Sequence, residues 1–210
     1  MGKEFYIIRH GETALNKNGI VQGRGINSDL NDTGREQAAA FYARYKALPF
    51  DKIYVSDLKR THQTVQQFTD AGIPTTQLSG LDELAWGEWE GKSRSDESIL
   101  VFRDLLEQWT AGGYDAKLMG GESPNEVALR LQEALDEMLS HPEEKLVLVC
   151  MHGRAMRLLL CMLSGKPFAE MADFPHQNTT LYRVSMTGDQ FTITDFNNTD
   201  HLKVEASWTK

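Results

Sequence analysis

The sequence predicts an α/β fold, a three-layer α/β/α sandwich with a mainly parallel central sheet. Apolar runs without polar alternation occur at residues 5–8, 52–55 and 146–150, which is typical of strands buried on both faces. Amphipathic helical stretches separate these runs, and such β-α-β alternation favours a parallel sheet between helical layers. We expect the 210 residues to form a single domain.

The first two long helices are predicted from their terminal residues. Thr33 and Glu36 have the spacing of a capping box, and an amphipathic run follows as far as residue 48. The next helix is expected to begin at Ser56, a favourable N-cap residue, and to end at Gly72.

The second half of the chain contains two further predicted helices and a hairpin. One helix begins with Ser123 as cap, Pro124 in the first turn and Glu126 closing a capping box. The other follows the strand at 146–150 and ends at Gly165. Residues 180–196 contain two strand-like runs around a Thr-Gly-Asp turn, which predicts a hairpin at the sheet edge.

Residues 82–122 fit the β-α-β alternation least well. They contain three of the four tryptophans and an excess of acidic residues. We interpret the segment as a lid-like insertion over the active site, the alternative being a solvated helical excursion without a role.

Composition restricts the possible partners and location. The net charge of −8 argues against nucleic acid or an anionic membrane as the main partner. No apolar run is long enough to cross a bilayer, and the N-terminus does not resemble a signal peptide. Cys150 and Cys161 lie in apolar surroundings and are interpreted as buried free thiols, which favours the cytoplasm.

Polar residues follow three of the predicted strands. Because the carboxyl ends of parallel strands meet at one edge of a sheet, these residues are expected to share one crevice. Arginines and a helix N-terminus there would form a strong anion site. The residues concerned are Arg9 and His10, then Ser56 and Arg60, then His152 and Gly153.

Histidine in such a crevice suggests chemistry as well as binding. A neutral imidazole nitrogen can attack phosphorus and form a phosphohistidine that water cleaves in a second step. Arginines would stabilise the transferring group, and a carboxylic acid would protonate the leaving alkoxide. Binding of sulfate or carboxylate could use the same residues. Zinc on His10, His152 and Glu83 is disfavoured because the flanking arginines would repel a dication, so no metal is expected.

From residue 5 to about residue 180, the chain resembles the histidine phosphatase superfamily, the phosphoglycerate-mutase-like enzymes. The motifs that carry the resemblance are "RHGET" (9–13), "QG" (22–23), "DLNDTGREQA" (29–38), "VSDLKRTHQT" (55–64), "LDELAWGEWEG" (81–91), "GGES" (120–123), "VCMHGRAMR" (149–157) and "NTT" (178–180), together with Asn16. Their order and spacing agree as well as the strings themselves.

The resemblance implies roles for particular residues. His10 is similar in place to the nucleophile, and Glu83 to the proton donor, with the adjacent Asp82 as its rival. The rest of the phosphate pocket would comprise Arg9, Arg60 and His152. Further contacts to phosphate or substrate are implied for Asn16, Gln22, Gly23 and the Gly153 amide. The family needs no metal or organic cofactor.

The segment after Glu83 distinguishes the branches of the family. "LAWGEWEGKSRSD" lacks the arginine–tyrosine pair of cofactor-dependent mutases and resembles the short Gly-x-Trp-Glu-Gly of the phosphatases. We therefore expect a phosphatase acting on a small phosphorylated metabolite, with a phosphoglycerate mutase and a non-catalytic phosphate-binding relative as alternatives. A homodimer is possible, but no pattern argues for it. Arg154, directly after the His-Gly pair, is left open between a substrate contact and a structural role.

Overall fold

In the computed structural model, which describes residues 2–93 and 95–203, a six-stranded sheet separates two layers of helices. The strands are β1 (Lys3–Arg9), β2 (Lys52–Val55), β3 (Thr75–Gln77), β4 (Leu146–Met151), β5 (Leu181–Thr187) and β6 (Gln190–Asn198). The order is β3-β2-β4-β1-β5-β6, and the first four strands are mutually parallel. The hairpin of β5 and β6 adds antiparallel to β1. The α/β class with a mainly parallel sheet is confirmed.

Burial on both faces explains the apolar strands. In β1, Phe5 and Ile7 belong to one hydrophobic core, whereas Tyr6 and Ile8 belong to the core on the opposite face. Every residue from 5 to 8 is therefore buried, and no polar alternation is possible.

Helices cover both faces of the sheet. They are α1 (Ala14–Lys17), α2 (Asp32–Tyr45), α3 (Lys59–Asp70), α4 (Asp96–Thr110), α5 (Pro124–Leu139) and α6 (Gly153–Ser164). The core on one face receives side chains of α2 and α3, and the other core receives side chains of α4, α5 and α6. No helix in the described ranges combines the length and apolarity that crossing a bilayer requires.

The predicted start of α2 is wrong. The helix begins at Asp32, and its N-cap is Asn31, whose side-chain oxygen accepts a hydrogen bond from the Gly34 amide at 2.8 Å. The Asn31 amide group also donates to Glu12. The contact with Glu12, which lies outside the helix, helps to hold Asn31 at the N-cap position, two residues before Thr33.

The predicted start of α3 is also wrong. The helix begins at Lys59, with Leu58 at the N-cap position. The hydroxyl of Ser56 accepts from the Leu58 amide at 3.1 Å, ahead of the helix, and lies 2.7 Å from a ring nitrogen of His152. By contrast, the capping box of Ser123 and Glu126 is present in α5, and α6 ends at Gly165, whose φ is 67°. Both of these predictions are confirmed.

The inserted segment contains α4 and packs on the core through tryptophans. The rings of Trp86 and Trp109 stack at 6.1 Å, and the Trp109 indole donates to the carbonyl of Ala116. An isolated bridge joins Trp86 to Gly121 near the end of the segment. These contacts attach α4 to the face of the sheet that carries α5 and α6.

Candidate active site

The ends of β1, β2 and β4 bring the two histidines together. Arg9 pairs with Met151 in the sheet register, so His10 and His152 follow on adjacent strands. The His10 amide donates to the Met151 carbonyl at 3.0 Å, and the two imidazole centroids are 5.1 Å apart. The structure therefore brings together residues that lie 142 positions apart in the sequence.

His10 is held as a neutral ring with one free nitrogen. Its Nδ1 lies 2.7 Å from the carbonyl oxygen of Gly11, which can only accept, so Nδ1 carries the proton. Burial, followed by the charges of Arg9 and Arg60, lowers the pKa of His10 well below its usual value. At neutral pH, Nε2 therefore has an unshared electron pair.

His152 is fixed by a donor on one nitrogen and a hydroxyl on the other. The Nε of Arg60 donates to His152 Nδ1 at 3.1 Å, and because a guanidinium only donates, the ring proton lies on Nε2, which faces Ser56 Oγ. Burial and the neighbouring Arg60 lower the pKa of His152 well below its usual value. The ring is thus neutral and unable to rotate without losing both bonds.

Arg60 is buried and held by backbone carbonyls. Its guanidinium donates to the oxygen of Ile26 at 2.6 Å and to that of Gly23 at 3.3 Å. Burial lowers its pKa to about 10, so it remains a cation at neutral pH. Gly23 thus contacts the arginine through its carbonyl, and a side chain there would collide with Glu90, whose Oε1 lies 2.1 Å from the position of a Cβ.

Arg9 has a buried donor without a protein partner in the described part of the chain. Its Nε makes no hydrogen bond, while its NH1 lies 3.4 Å from Nδ1 of His176. Burial and the charges of three arginines lower the pKa of His176 to about 3, so this ring is neutral and can accept from Arg9. An unsatisfied guanidinium donor beside His10 and His152 is a suitable ligand for an anion.

His176 is a site residue that sequence reasoning missed. Its ring packs against the first residue of α6, and a Cβ at Gly153 would lie 2.5 Å from its Cε1. A side chain at position 153 would therefore collide with the His176 ring, which gives a steric reason for glycine there. The only sequence signal was its position two residues before the "NTT" motif.

Glu83 lies at the N-terminus of α6. Its carboxylate accepts hydrogen bonds from the amides of Leu84, Arg154 and Ala155 at 2.9 to 3.1 Å, and the residue is 8% exposed. Asp82 has different partners, accepting from the Asp57 amide and from Arg24 Nε, both at 2.9 Å. Of the two adjacent carboxyl groups, Glu83 is the one bonded to the helix that follows His152.

Arg130 holds the backbone that carries Glu83. Its guanidinium donates to the carbonyls of Gly80, Asp82 and Glu83 at 2.8 to 3.1 Å, and it forms two bonds of 2.9 Å with the carboxylate of Glu122. Every nitrogen of the guanidinium is used. This side chain therefore connects α5 to the segment that presents the candidate acid.

Replacing Arg130 with methionine is expected to lower the free energy of unfolding by about 2–4 kcal/mol, because the bonds from Arg130 to Glu122 and to three carbonyls are lost. Urea unfolding measures the loss. Arg103→Met is the matched control. Among residues 2–93 and 95–203, Arg103 pairs with the exposed Asp104 and Glu107, so the expected change is within about 0.5 kcal/mol. Equal losses in the two variants would contradict the role of Arg130.

The short helix α1 and the loop that follows it contribute further polar side chains to the site. The Oδ1 of Asn16 accepts from the Thr13 amide at 3.2 Å and from Asn178 Nδ2 at 3.3 Å. The same Asn178 amide group donates to the His10 carbonyl at 3.0 Å. Gln22 donates to Thr13 Oγ1 at 2.7 Å. These bonds connect the predicted Asn16 and Gln22 to the backbone of His10.

A cavity of about 730 Å³ opens beside these residues. Arg9, Asn16 and Gln22 line one part of it, and Arg154 lines another. The inserted segment supplies an apolar wall that includes Trp86, Phe102 and Leu106. The volume is sufficient for a phosphorylated metabolite of moderate size.

Comparisons with known proteins agree with this geometry. Residues 5–199 match the model of the histidine phosphatase superfamily, branch 1. The chain is 32% identical over 187 residues to an Erwinia tasmaniensis protein named as a probable phosphoglycerate mutase, GpmB, covering 86% of this chain and 84% of that protein. It is 26% identical over 202 residues to a Hydrogenobacter thermophilus protein with the provisional name phosphoserine phosphatase 2, covering 96% of this chain and 98% of that protein. The solved structure of Bacillus stearothermophilus YhfR superposes with a TM-score of 0.83 at 26% identity, covering 96% of this chain and all of that one.

Proposed function

The chain belongs to the histidine phosphatase superfamily, branch 1, and we propose that it is a phosphatase that hydrolyses small-molecule phosphomonoesters. The observation that carries the proposal is the state of His10. Its Nδ1 proton is bonded to Gly11, its Nε2 has a free electron pair, and Arg9 beside it has an unpaired donor. A nucleophile and an anion ligand thus lie next to each other.

The first chemical step transfers the phosphoryl group to His10. Nε2 attacks phosphorus, the P–O bond to the leaving group breaks, and the guanidinium of Arg9 stabilises the charge on the phosphoryl oxygens. Arg60 contributes its positive charge and, together with Ser56, holds the His152 ring beside that of His10. The Gly153 amide, at the start of α6, donates to a phosphoryl oxygen.

Protonation of the leaving oxygen is assigned to Glu83. The carboxyl group of Glu83 gives its proton to the departing alkoxide, so that the leaving group departs as an alcohol. In the second step, Glu83 accepts a proton from water as that water attacks phosphorus and the N–P bond breaks. The products are an alcohol and inorganic phosphate, and His10 returns to its neutral state. No step requires a metal.

A trapping experiment tests this mechanism. The protein is mixed with a phosphorus-labelled phosphomonoester, quenched in alkali within milliseconds, digested and analysed by mass spectrometry. We expect a base-stable, acid-labile phosphoryl group on the peptide that contains His10. Turnover that proceeds without this adduct, or that a chelator abolishes, would overturn the proposal.

A phosphoglycerate mutase is the second candidate, supported by the 32% identity to the Erwinia tasmaniensis protein. In that case the phosphohistidine would return its phosphoryl group to bound glycerate and release little phosphate. Measuring exchange between the two phosphoglycerates alongside phosphate release distinguishes the candidates. We favour the phosphatase because the segment after Glu83 has the short form of that branch.

Two further aspects belong to the same proposal. The insertion acts as a cover for the site, supported by the cavity lining that α4 and Trp86 contribute. The protein works in the cytoplasm, supported by its two buried, unpaired cysteines.

A further inference from the structure

Arg154 extends its side chain from the start of α6 toward the inserted segment. Its guanidinium carbon lies 5.7 Å from the ring centroids of both Trp86 and Trp109, and its NH1 lies 3.3 Å from the sulfur of Met171. The side chain lines the cavity beside the proposed reaction centre. It is therefore placed where the leaving group of a phosphomonoester would lie.

The contacts of the Arg154 guanidinium named above are with uncharged groups, two indole rings and a thioether sulfur. Within residues 2–93 and 95–203, no carboxylate oxygen lies within 4.0 Å of its guanidinium, and the Glu83 carboxylate is bonded instead to the Arg154 main-chain amide. Burial lowers the pKa of Arg154 to about 10, so the group is still charged at neutral pH. Indole faces and a thioether compensate little of the cost of burying a cation, whereas a ligand anion would compensate more of it.

A second arginine on the same cavity provides a contrast. Arg103, on α4, pairs with Asp104 at 3.0 Å and with Glu107 at 3.6 Å, and more than half of its side chain is exposed. The positive charge of Arg103 is therefore already balanced by carboxylates on α4. Arg154 is thus free to bind an anion, while Arg9, on another part of the cavity, is assigned to the phosphoryl group.

We propose that Arg154 binds a carboxylate carried by the leaving group of the substrate, which deepens the proposed phosphatase function and rests on it. A single guanidinium matches a single negative charge with its two-pronged donor geometry. The indole and phenyl side chains of Trp86 and Phe102 fit an apolar body between the two anionic groups.

The test compares two probes that differ only in this charge. The probes are 4-(2-carboxyethyl)benzylphosphonate and its primary amide, neither of which can be hydrolysed, and binding is measured by calorimetry. For the unaltered protein, we expect the acid to bind about tenfold more tightly than the amide. In Arg154→Met and in Arg154→Gln, this ratio should fall to about one, while Arg103→Met retains it. Binding of the amide reports whether each variant is folded.

Equal binding of the two probes to the unaltered protein, binding of neither, or a ratio that survives in both Arg154 variants would overturn the inference. A second measurement uses the corresponding phenyl phosphate esters, the acid and the amide, as substrates. If the acid phosphonate binds through Arg154 but neither ester is hydrolysed, the inference stands and the proposed function fails. If both esters are hydrolysed with the same kcat/KM, the function stands and the inference fails.

Discussion

Replacing His10 with alanine is expected to lower kcat by about 10⁴-fold or more, the largest effect of any substitution in the chain. The reason is that Nε2 of His10 forms the bond to phosphorus, and no other described side chain presents a comparable free nitrogen at that point. His152 has both nitrogens engaged, by Arg60 and by Ser56. Phosphate release from an alkyl phosphomonoester measures the loss.

His141→Ala is the matched control for this experiment. His141 is on the surface and contacts Glu137 and Glu143, so its loss removes a histidine without touching the site. Its kcat should stay within about twofold of the unaltered value. Residual turnover of His10→Ala above one per cent, in a protein with an unchanged thermal midpoint, would assign the nucleophile elsewhere.

Replacing Glu83 with glutamine is expected to produce the second largest loss, about 10²–10³-fold in kcat for an alkyl phosphate. Glutamine preserves the size of the side chain and one amide-accepting oxygen, but it cannot donate the proton that an alkoxide requires. For 4-nitrophenyl phosphate, whose leaving group departs without a proton, the loss should be much smaller. The ratio of the two losses is the measurement that identifies a proton donor.

Asp82→Asn separates the two adjacent carboxyl groups. Because Asp82 is bonded to Arg24 and to the Asp57 amide, its replacement should lower stability and affect both substrates equally. A dependence on the leaving group in Asp82→Asn, and none in Glu83→Gln, would transfer the acid role to Asp82.

The strands that carry the site could be predicted because they are local patterns. Residues 5–8 and 146–150 are apolar throughout because each strand contacts two cores. An unbroken run of apolar residues therefore predicts such a strand. The convergence of Arg9, His10 and His152 then followed from the rule that parallel strands end at one edge. Short β3 lacks an apolar run and gave no such signal.

The starts of α2 and α3 could not be predicted because partners distant in the sequence decide them. Ser56 is a favourable cap residue, yet its hydroxyl accepts from the Leu58 amide, ahead of the helix, and bonds to His152, 96 residues later. Asn31 takes the cap position that Thr33 was expected to hold, helped by Glu12. The N-cap preferences of Asn, Ser and Thr are similar, so a single tertiary hydrogen bond is enough to decide which residue caps the helix.

His176 illustrates the same limit within the site. It follows no strand and opens no helix, so apart from its nearness to the "NTT" motif no sequence pattern marks it. Burial, followed by the charges of Arg9, Arg157 and Arg154, lowers the pKa of His176, and these arginines belong to two different elements. Such a residue is found only when the fold has assembled its neighbours.

The bond between the Arg154 amide and Glu83 has a consequence for how this enzyme could diversify. Because the main chain makes that bond, nineteen of the twenty amino acids at position 154 can preserve it, proline being the exception. The side chain at the same position faces the cavity. On the proposed role of Arg154, substitutions at this position would change substrate preference while the main-chain bond to Glu83 stays in place, so specificity and chemistry could evolve separately.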